Sequence, residues 1–142
     1  AELYRERLDE AMANNPGKPR PVFAMMRHTA VYDSGADHMV PVRAVQAVLS
    51  QFENLYKNLG DVQNGFPASI ELKELENREE YNPAMLQENL MFGTPDEVIA
   101  KLRKYEALGV DQFTYYASMG LGRPEQKRSL ELFIDEVMPA FA

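Results

Sequence analysis

The chain has 142 residues, a formal net charge of −7 at neutral pH, 45% hydrophobic and 26% charged residues, and no cysteine. That length suits one domain with a core of its own, and the acidic balance argues against nucleic-acid or anionic-membrane surfaces, which need basic patches. Without cysteine there is no disulfide, thiol nucleophile or thiolate metal site, and His28 and His38 are too few for a histidine-rich metal centre.

Residues 1–14 read as an amphipathic helix, with Leu3, Leu8, Ala11 and Met12 on one face. The cluster Asn14-Asn15-Pro16-Gly17-Lys18-Pro19-Arg20-Pro21 ends it. Val22 to about Tyr32 is mostly apolar and predicts a buried strand with Arg27-His28 embedded. A long helix over 37–59 follows, with Val42, Val45, Val48, Leu49, Phe52, Leu55, Tyr56 and Leu59 on its buried face and Pro41 in its first turn. Residues 60–70 read as a loop, and the charged run 71–80 as a short exposed helix with a solvated face. Residues 84–89 suggest another helical turn, and Leu90-Met91-Phe92 a very short strand.

The last fifty residues carry the clearest signals. Thr94, Pro95 and Glu97 combine an N-cap, a first-turn proline and a capping box. Val98, Ile99, Leu102 and Tyr105 continue at helical spacing, and Gly109 stops the helix. Phe113-Thr114-Tyr115-Tyr116 predicts a strand over 112–117, then comes a glycine loop from Ser118 to Pro124. A final helix carries Leu130, Phe133, Ile134, Val137, Met138 and Phe141. Strands at 22–32, 90–92 and 112–117, each followed by a helix, are the grammar of a parallel α/β fold. Three such strands leave edges exposed. The chain also opens at Ala1 inside a helical pattern, without an initiator methionine or leading strand. A piece of a longer protein is therefore expected, or one completed by self-association into a homo-oligomer.

Two stretches carry a family resemblance. They are Asn89-Leu90-Met91-Phe92-Gly93-Thr94-Pro95-Asp96-Glu97-Val98 with Leu108-Gly109-Val110-Asp111, and Arg128-Ser129-Leu130-Glu131-Leu132-Phe133 with Glu136-Val137-Met138-Pro139-Ala140-Phe141. In this order they resemble the carboxyl-terminal end of the bacterial luciferase-like, flavin-dependent monooxygenases. The resemblance covers residues 89–141, and the helix–strand–helix order of 1–59 fits the units before it. It implies a (β/α)8 TIM barrel, of which the chain supplies about the last three β/α units: 1–59, a helical insertion at 60–89, and two units over 90–142 in a single partial-barrel domain. It further implies a reduced flavin cofactor, FMN, with O2 oxidising a small organic substrate, and a separate flavin reductase. Some relatives use the deazaflavin F420 for hydride transfer instead. The fragment alone is expected to be inactive.

Within that frame Arg27 and His28 are the catalytic candidates, charged or titratable groups in an apolar strand. Neighbours on a strand point to opposite faces, so only one can face a barrel interior. A structural ion pair or a satisfied buried histidine is the alternative. On the last strand Thr114, Tyr116 and Ser118 share a face, which makes Tyr116 and Ser118 cofactor-binding candidates, or packing groups. Gly120 and Gly122 precede a helix, where backbone N–H groups can hold an anion such as a phosphate. A tight turn permitting close packing explains them equally, and the third glycine of a dinucleotide fingerprint is missing. Arg123 can assist an anion or be solvated. Thr94 reads as a helix cap, and Met25, Met26 and Met91 as adaptable core filler or pocket lining. No metal site is expected. No apolar run approaches the roughly 18–20 residues of a membrane span, and no signal peptide is visible. A cytoplasmic protein is the expectation. The rival reading is a non-catalytic α/β module that self-associates through exposed strand edges and apolar helix faces.

Overall fold

The computed structural model describes residues 1–57, 62–67, 73, 78–117 and 120–142. Helix α1 spans Glu2–Ala13 and ends at the expected breakers, with Gly17 at φ +86°. Of its predicted apolar face only Leu8 is buried, against Phe23 and Met25, while Leu3 is 66% exposed. Strand β1 is Ala24–Val31 and helix α2 is Met39–Lys57. Strands β2 (Val62–Gln63) and β3 (Phe66–Pro67) follow, then helix α3 (Pro83–Asn89) and strand β4 (Met91–Gly93). Helix α4 is Pro95–Ala107, strand β5 is Gln112–Ala117, and helix α5 is Arg123–Leu132. The chain closes with a π turn at Phe133–Val137 and a 3-10 turn at Met138–Phe141.

The three strands expected from the sequence are present, parallel, and ordered β4-β1-β5. Strand β1 pairs at its carboxyl end with β4 (Thr29↔Met91 to Val31↔Gly93). Its amino-terminal part pairs with β5 (Ala24↔Gln112 to Thr29↔Ala117). At eight residues β1 is long enough to serve two neighbours at staggered positions, which three-residue β4 is not. In a barrel arc every consecutive pair of strands is adjacent and the helices lie outside. Here β1 and β4 are adjacent, but β4 and β5 are separated by β1.

Alternation along the strands defines two faces. Val31 and Met91 pack with Val98, Leu102, Leu132, Phe133 and Val137, under α4, α5 and the π turn. Ala30 and Phe92 pack with Val42, Val45 and Leu86 on the opposite face, under α2 and α3. Val42, Val45, Val98 and Val137 are wholly shielded from solvent, a gain of about 1.5–3 kcal/mol for each side chain. Helices therefore cover both faces of the sheet, as a parallel sheet requires.

The periodicity misplaces several side chains. Phe52, expected inside, is 43% exposed on α2, and the polar Gln46 is buried instead, its Nε2 donating to the Tyr81 carbonyl at 2.8 Å. On the last helix Leu130, Ile134, Met138 and Phe141 are exposed, while Ser129 and Leu132 join Phe133 and Val137 inside. The π turn adds a residue to the helical period there, and so rotates the buried stripe. Residues 62–67, read as loop, form a hairpin around Asn64 (φ 53°) and Gly65 (φ 84°), the left-handed pair an Asn-Gly turn supplies. The predicted helix 71–80 falls largely outside the described residues, as does Leu59. Among the described residues no helix is long and apolar enough to cross a membrane.

Candidate functional site at the carboxyl ends of the strands

The helix after β1 covers one face of the sheet and the helix after β5 covers the other. The loops leaving two adjacent strands therefore diverge, and in open α/β sheets that divergence makes the ligand crevice. A cavity of about 390 Å³ lies there. Its polar lining is Tyr32, Asp33 and Asp37 from the β1 side, with Glu125, Arg128 and Ser129 from α5.

Asp33 and Arg128 meet across the mouth, Nε to Oδ2 at 3.0 Å and Nη2 to Oδ1 at 2.5 Å. The guanidinium holds the Asp33 carboxyl below its ordinary pKa. Asp37 accepts from the Met39 N–H at 2.9 Å and from Arg43 at 2.5 Å, which lowers its carboxyl likewise. Buried Ser129 accepts the Val31 N–H at 2.7 Å, and its hydroxyl bonds the Tyr115 phenol at 2.8 Å. Burial pushes the Tyr115 phenol upward. One side chain thus ties α5 to both β1 and β5 at the crevice floor. Tyr32 accepts from Gln87 Nε2 at 2.8 Å, and burial raises its phenol as well.

The sequence-derived candidates divide into separate groups. Arg27 and His28 point to opposite faces in mid-strand. Arg27 donates to the Met26 carbonyl at 2.9 Å and lies 6.0 Å from the Tyr105 ring centroid. His28 lies beside Tyr116, its register partner, at 4.7 Å between ring centroids and 60° between planes. Its Nδ1 is buried with no hydrogen-bond partner. Desolvation lowers its pKa below 6.5, so the imidazole is neutral at pH 7. His28 and Tyr116 are hence brought together, and Arg27 is not with them. Ser118 lies outside the described residues.

Gly120 has φ +89°, and a Cβ there would stand 2.6 Å from the Ala44 carbonyl oxygen. Its glycine is fixed by the close approach of the loop to α2. Gly122 has φ −64° and caps α5. A Cβ on it would meet the Glu125 carboxylate at 2.5 Å. The chain's own anion therefore lies over this helix start. With Asp33, Asp37 and Glu125 facing the cavity and Arg128 already on Asp33, the crevice does not fit the phosphate end of a flavin.

Asp33, Arg128 and Ser129 were not singled out for a site by the sequence. The Asp33–Arg128 pair spans 95 positions and the Val31–Ser129 bond 98, so no local spacing announces either.

Comparison with known proteins bears out the family resemblance: the chain is a homologue of part of a flavin-dependent monooxygenase. It is 33% identical over 123 residues to the oxygenase component of the flavin-dependent trigonelline monooxygenase of Acinetobacter baylyi, a match that takes 87% of this chain and 34% of that protein. The chain thus spans about a third of the length of the curated relative it matches. No family model and no solved structure matches it.

Proposed function

We propose that these residues are the carboxyl-terminal part of the oxygenase component of a luciferase-like, flavin-dependent monooxygenase. The observation that carries the reading is the 33% identity over 123 residues to the oxygenase component of a flavin-dependent monooxygenase. The ordered motifs from Asn89 to Phe141 support it. In this reading the complete protein is a (β/α)8 barrel, and 1–142 is one partial-barrel domain in which 60–89 is an insertion. Reduced FMN and O2 oxidise a small organic substrate, and a separate reductase supplies the reduced flavin, as the word "component" in the relative's name suggests.

This chain's contribution is His28 with Tyr116. A neutral, half-buried imidazole is the titratable group that these residues bring to the sheet beside Tyr116, and such a group can exchange protons near neutral pH. The flavin phosphate is held elsewhere in the complete protein, because the crevice of these residues is acidic.

The test is the intact mass of the gene product, with FMN titrated against it and deazaflavin as the control. A mass more than twice this chain's 16.2 kDa with FMN bound is the expected result. A mass equal to this chain, with no flavin bound, would overturn the reading.

A further inference from the structure

Tyr32 is the first residue past β1, and its N–H donates to the Gly93 carbonyl at the carboxyl end of β4. Ligand sites in α/β folds gather at that end of the strands. The Tyr32 hydroxyl accepts from Gln87 Nε2 at 2.8 Å, and the same amide nitrogen donates to the Phe92 carbonyl at 3.3 Å. Phe92 fixes the sense of the amide: turned over, Gln87 would set an oxygen against that carbonyl. The phenol oxygen is therefore the acceptor in its bond to Gln87. Its own proton has no acceptor among the described residues.

Lys101 holds Gln87 in place. By alternation from Gly93, whose carbonyl faces β1, the carbonyls of Leu90 and Phe92 face outward. Lys101 Nζ donates to both, at 2.9 Å each, and also to the Gln87 carbonyl. One half-buried ammonium thus joins the end of α3 to β4. These contacts lie among β1, β4, α3 and α4, and none involves β5. Strands 24–31 and 91–93 are consecutive in the barrel reading, so the arrangement does not depend on which strand lies on the other side of β1.

Tyr32 also lines the cavity of about 390 Å³ at the carboxyl ends of the strands, a size that takes a small organic ligand. The wall beside it, from the segment between β1 and α2, is apolar at Ala36, Val40 and Pro41 and acidic at Asp33 and Asp37. We propose that Tyr32 is a substrate-contacting residue, oriented by Gln87, which donates one hydrogen bond to an uncharged oxygen or nitrogen acceptor on an otherwise apolar substrate. An anionic acceptor would meet the Asp33 and Asp37 carboxylates, whose arginines are already engaged with them. That the ligand is the substrate rests on the monooxygenase reading; the direction of the hydrogen bond does not.

The experiment takes the complete gene product without flavin and acetophenone as the probe. Ethylbenzene, which lacks the oxygen, and benzoate, which carries a charge on it, are the comparisons. NMR titration gives the dissociation constant of each. Wild type should bind acetophenone more tightly than either comparison. Tyr32→Phe should weaken acetophenone about 2- to 10-fold, the worth of one neutral hydrogen bond, and leave ethylbenzene unchanged. Gln87→Glu keeps an acceptor beside the phenol but takes its proton, and should weaken acetophenone as much. No acetophenone binding to wild type, binding that Tyr32→Phe leaves unaltered, or a preference for benzoate would overturn the proposal. An equal loss for ethylbenzene would do so too, because it marks a change of shape and not a lost hydrogen bond. An unchanged affinity in Gln87→Glu would remove the role of Gln87. If circular dichroism shows that this variant does not fold, Tyr32→Phe with the three probes decides the proposal. FMN binding without any effect of Tyr32→Phe would sink this inference alone. A Tyr32-dependent acetophenone site in a protein that binds no flavin would sink the monooxygenase reading alone.

Discussion

At the scale of single residues, burial decides the chemistry of His28. Its folded pKa lies below the ordinary 6.5 because the charged ring is desolvated. The unfolded chain therefore binds more protons in the window below about pH 6.5. Stability is complete above that window and is lost as the pH falls through it. NMR titration should give a His28 midpoint below 6.5, and His28→Gln should flatten that part of the acid unfolding curve. A midpoint at or above 6.5 would contradict the burial of this ring. Glycine roles separate at the same scale. Gly120→Ala meets both a positive φ and the Ala44 carbonyl, and should cost more than about 1 kcal/mol in urea unfolding. Gly122→Ala has an ordinary φ and meets the far end of a flexible glutamate, so it should cost only the poorer helix cap that alanine makes, less than Gly120→Ala. Equal effects would remove the packing explanation of Gly120.

At the scale of elements, α4 and α5 show what local signals fix and what they leave open. The start of α4 is set by its own residues: the Glu97 carboxylate accepts the Thr94 N–H at 2.8 Å, with Pro95 in the first turn. The placement of α5 depends instead on a residue with no local signature. Ser129 reaches back to Val31 and sideways to Tyr115. Ser129→Ala removes the partner of the buried Val31 N–H and of the half-buried Tyr115 hydroxyl. It should cost about 1–3 kcal/mol by thermal or urea unfolding. An unchanged midpoint would mean that water replaces the hydroxyl at both partners. Register misleads in this region too. The helical stripe from Leu130 to Phe141 looks continuous in sequence, yet the π turn at Phe133–Val137 carries Ile134, Met138 and Phe141 outward.

At the scale of the whole molecule, strand order is the property most open to test. Ala24 and Gln112 are register partners and both are exposed, in a chain with no native cysteine. Ala24→Cys with Gln112→Cys should form an intramolecular disulfide in the 142-residue chain, readable by mass spectrometry. In a complete barrel with β4 between these strands, the same pair is separated by two strand spacings of about 4.8 Å, beyond disulfide reach. The full-length protein should then stay reduced. A disulfide in both would show that the order β4-β1-β5 persists in the longer protein.

The sequence by itself determined the local vocabulary. The capping box at Thr94 and the stop at Gly109 rest on contacts within a few residues, and the strands near 24–31, 91–93 and 112–117 and the family motifs show themselves in local residue patterns, which spacing alone reports. It also made Arg27 and His28 visible as polar groups in an apolar strand. Tertiary structure decided which strands are neighbours, and that His28 faces Tyr116 while Arg27 faces away from it. It also decided that Asp33 pairs with Arg128, and that Lys101 takes the outward carbonyls of Leu90 and Phe92 beside β4. Each of these depends on backbone groups or side chains brought together from distant positions, or on which face of an element becomes covered. No periodicity encodes either, so only packing could settle them.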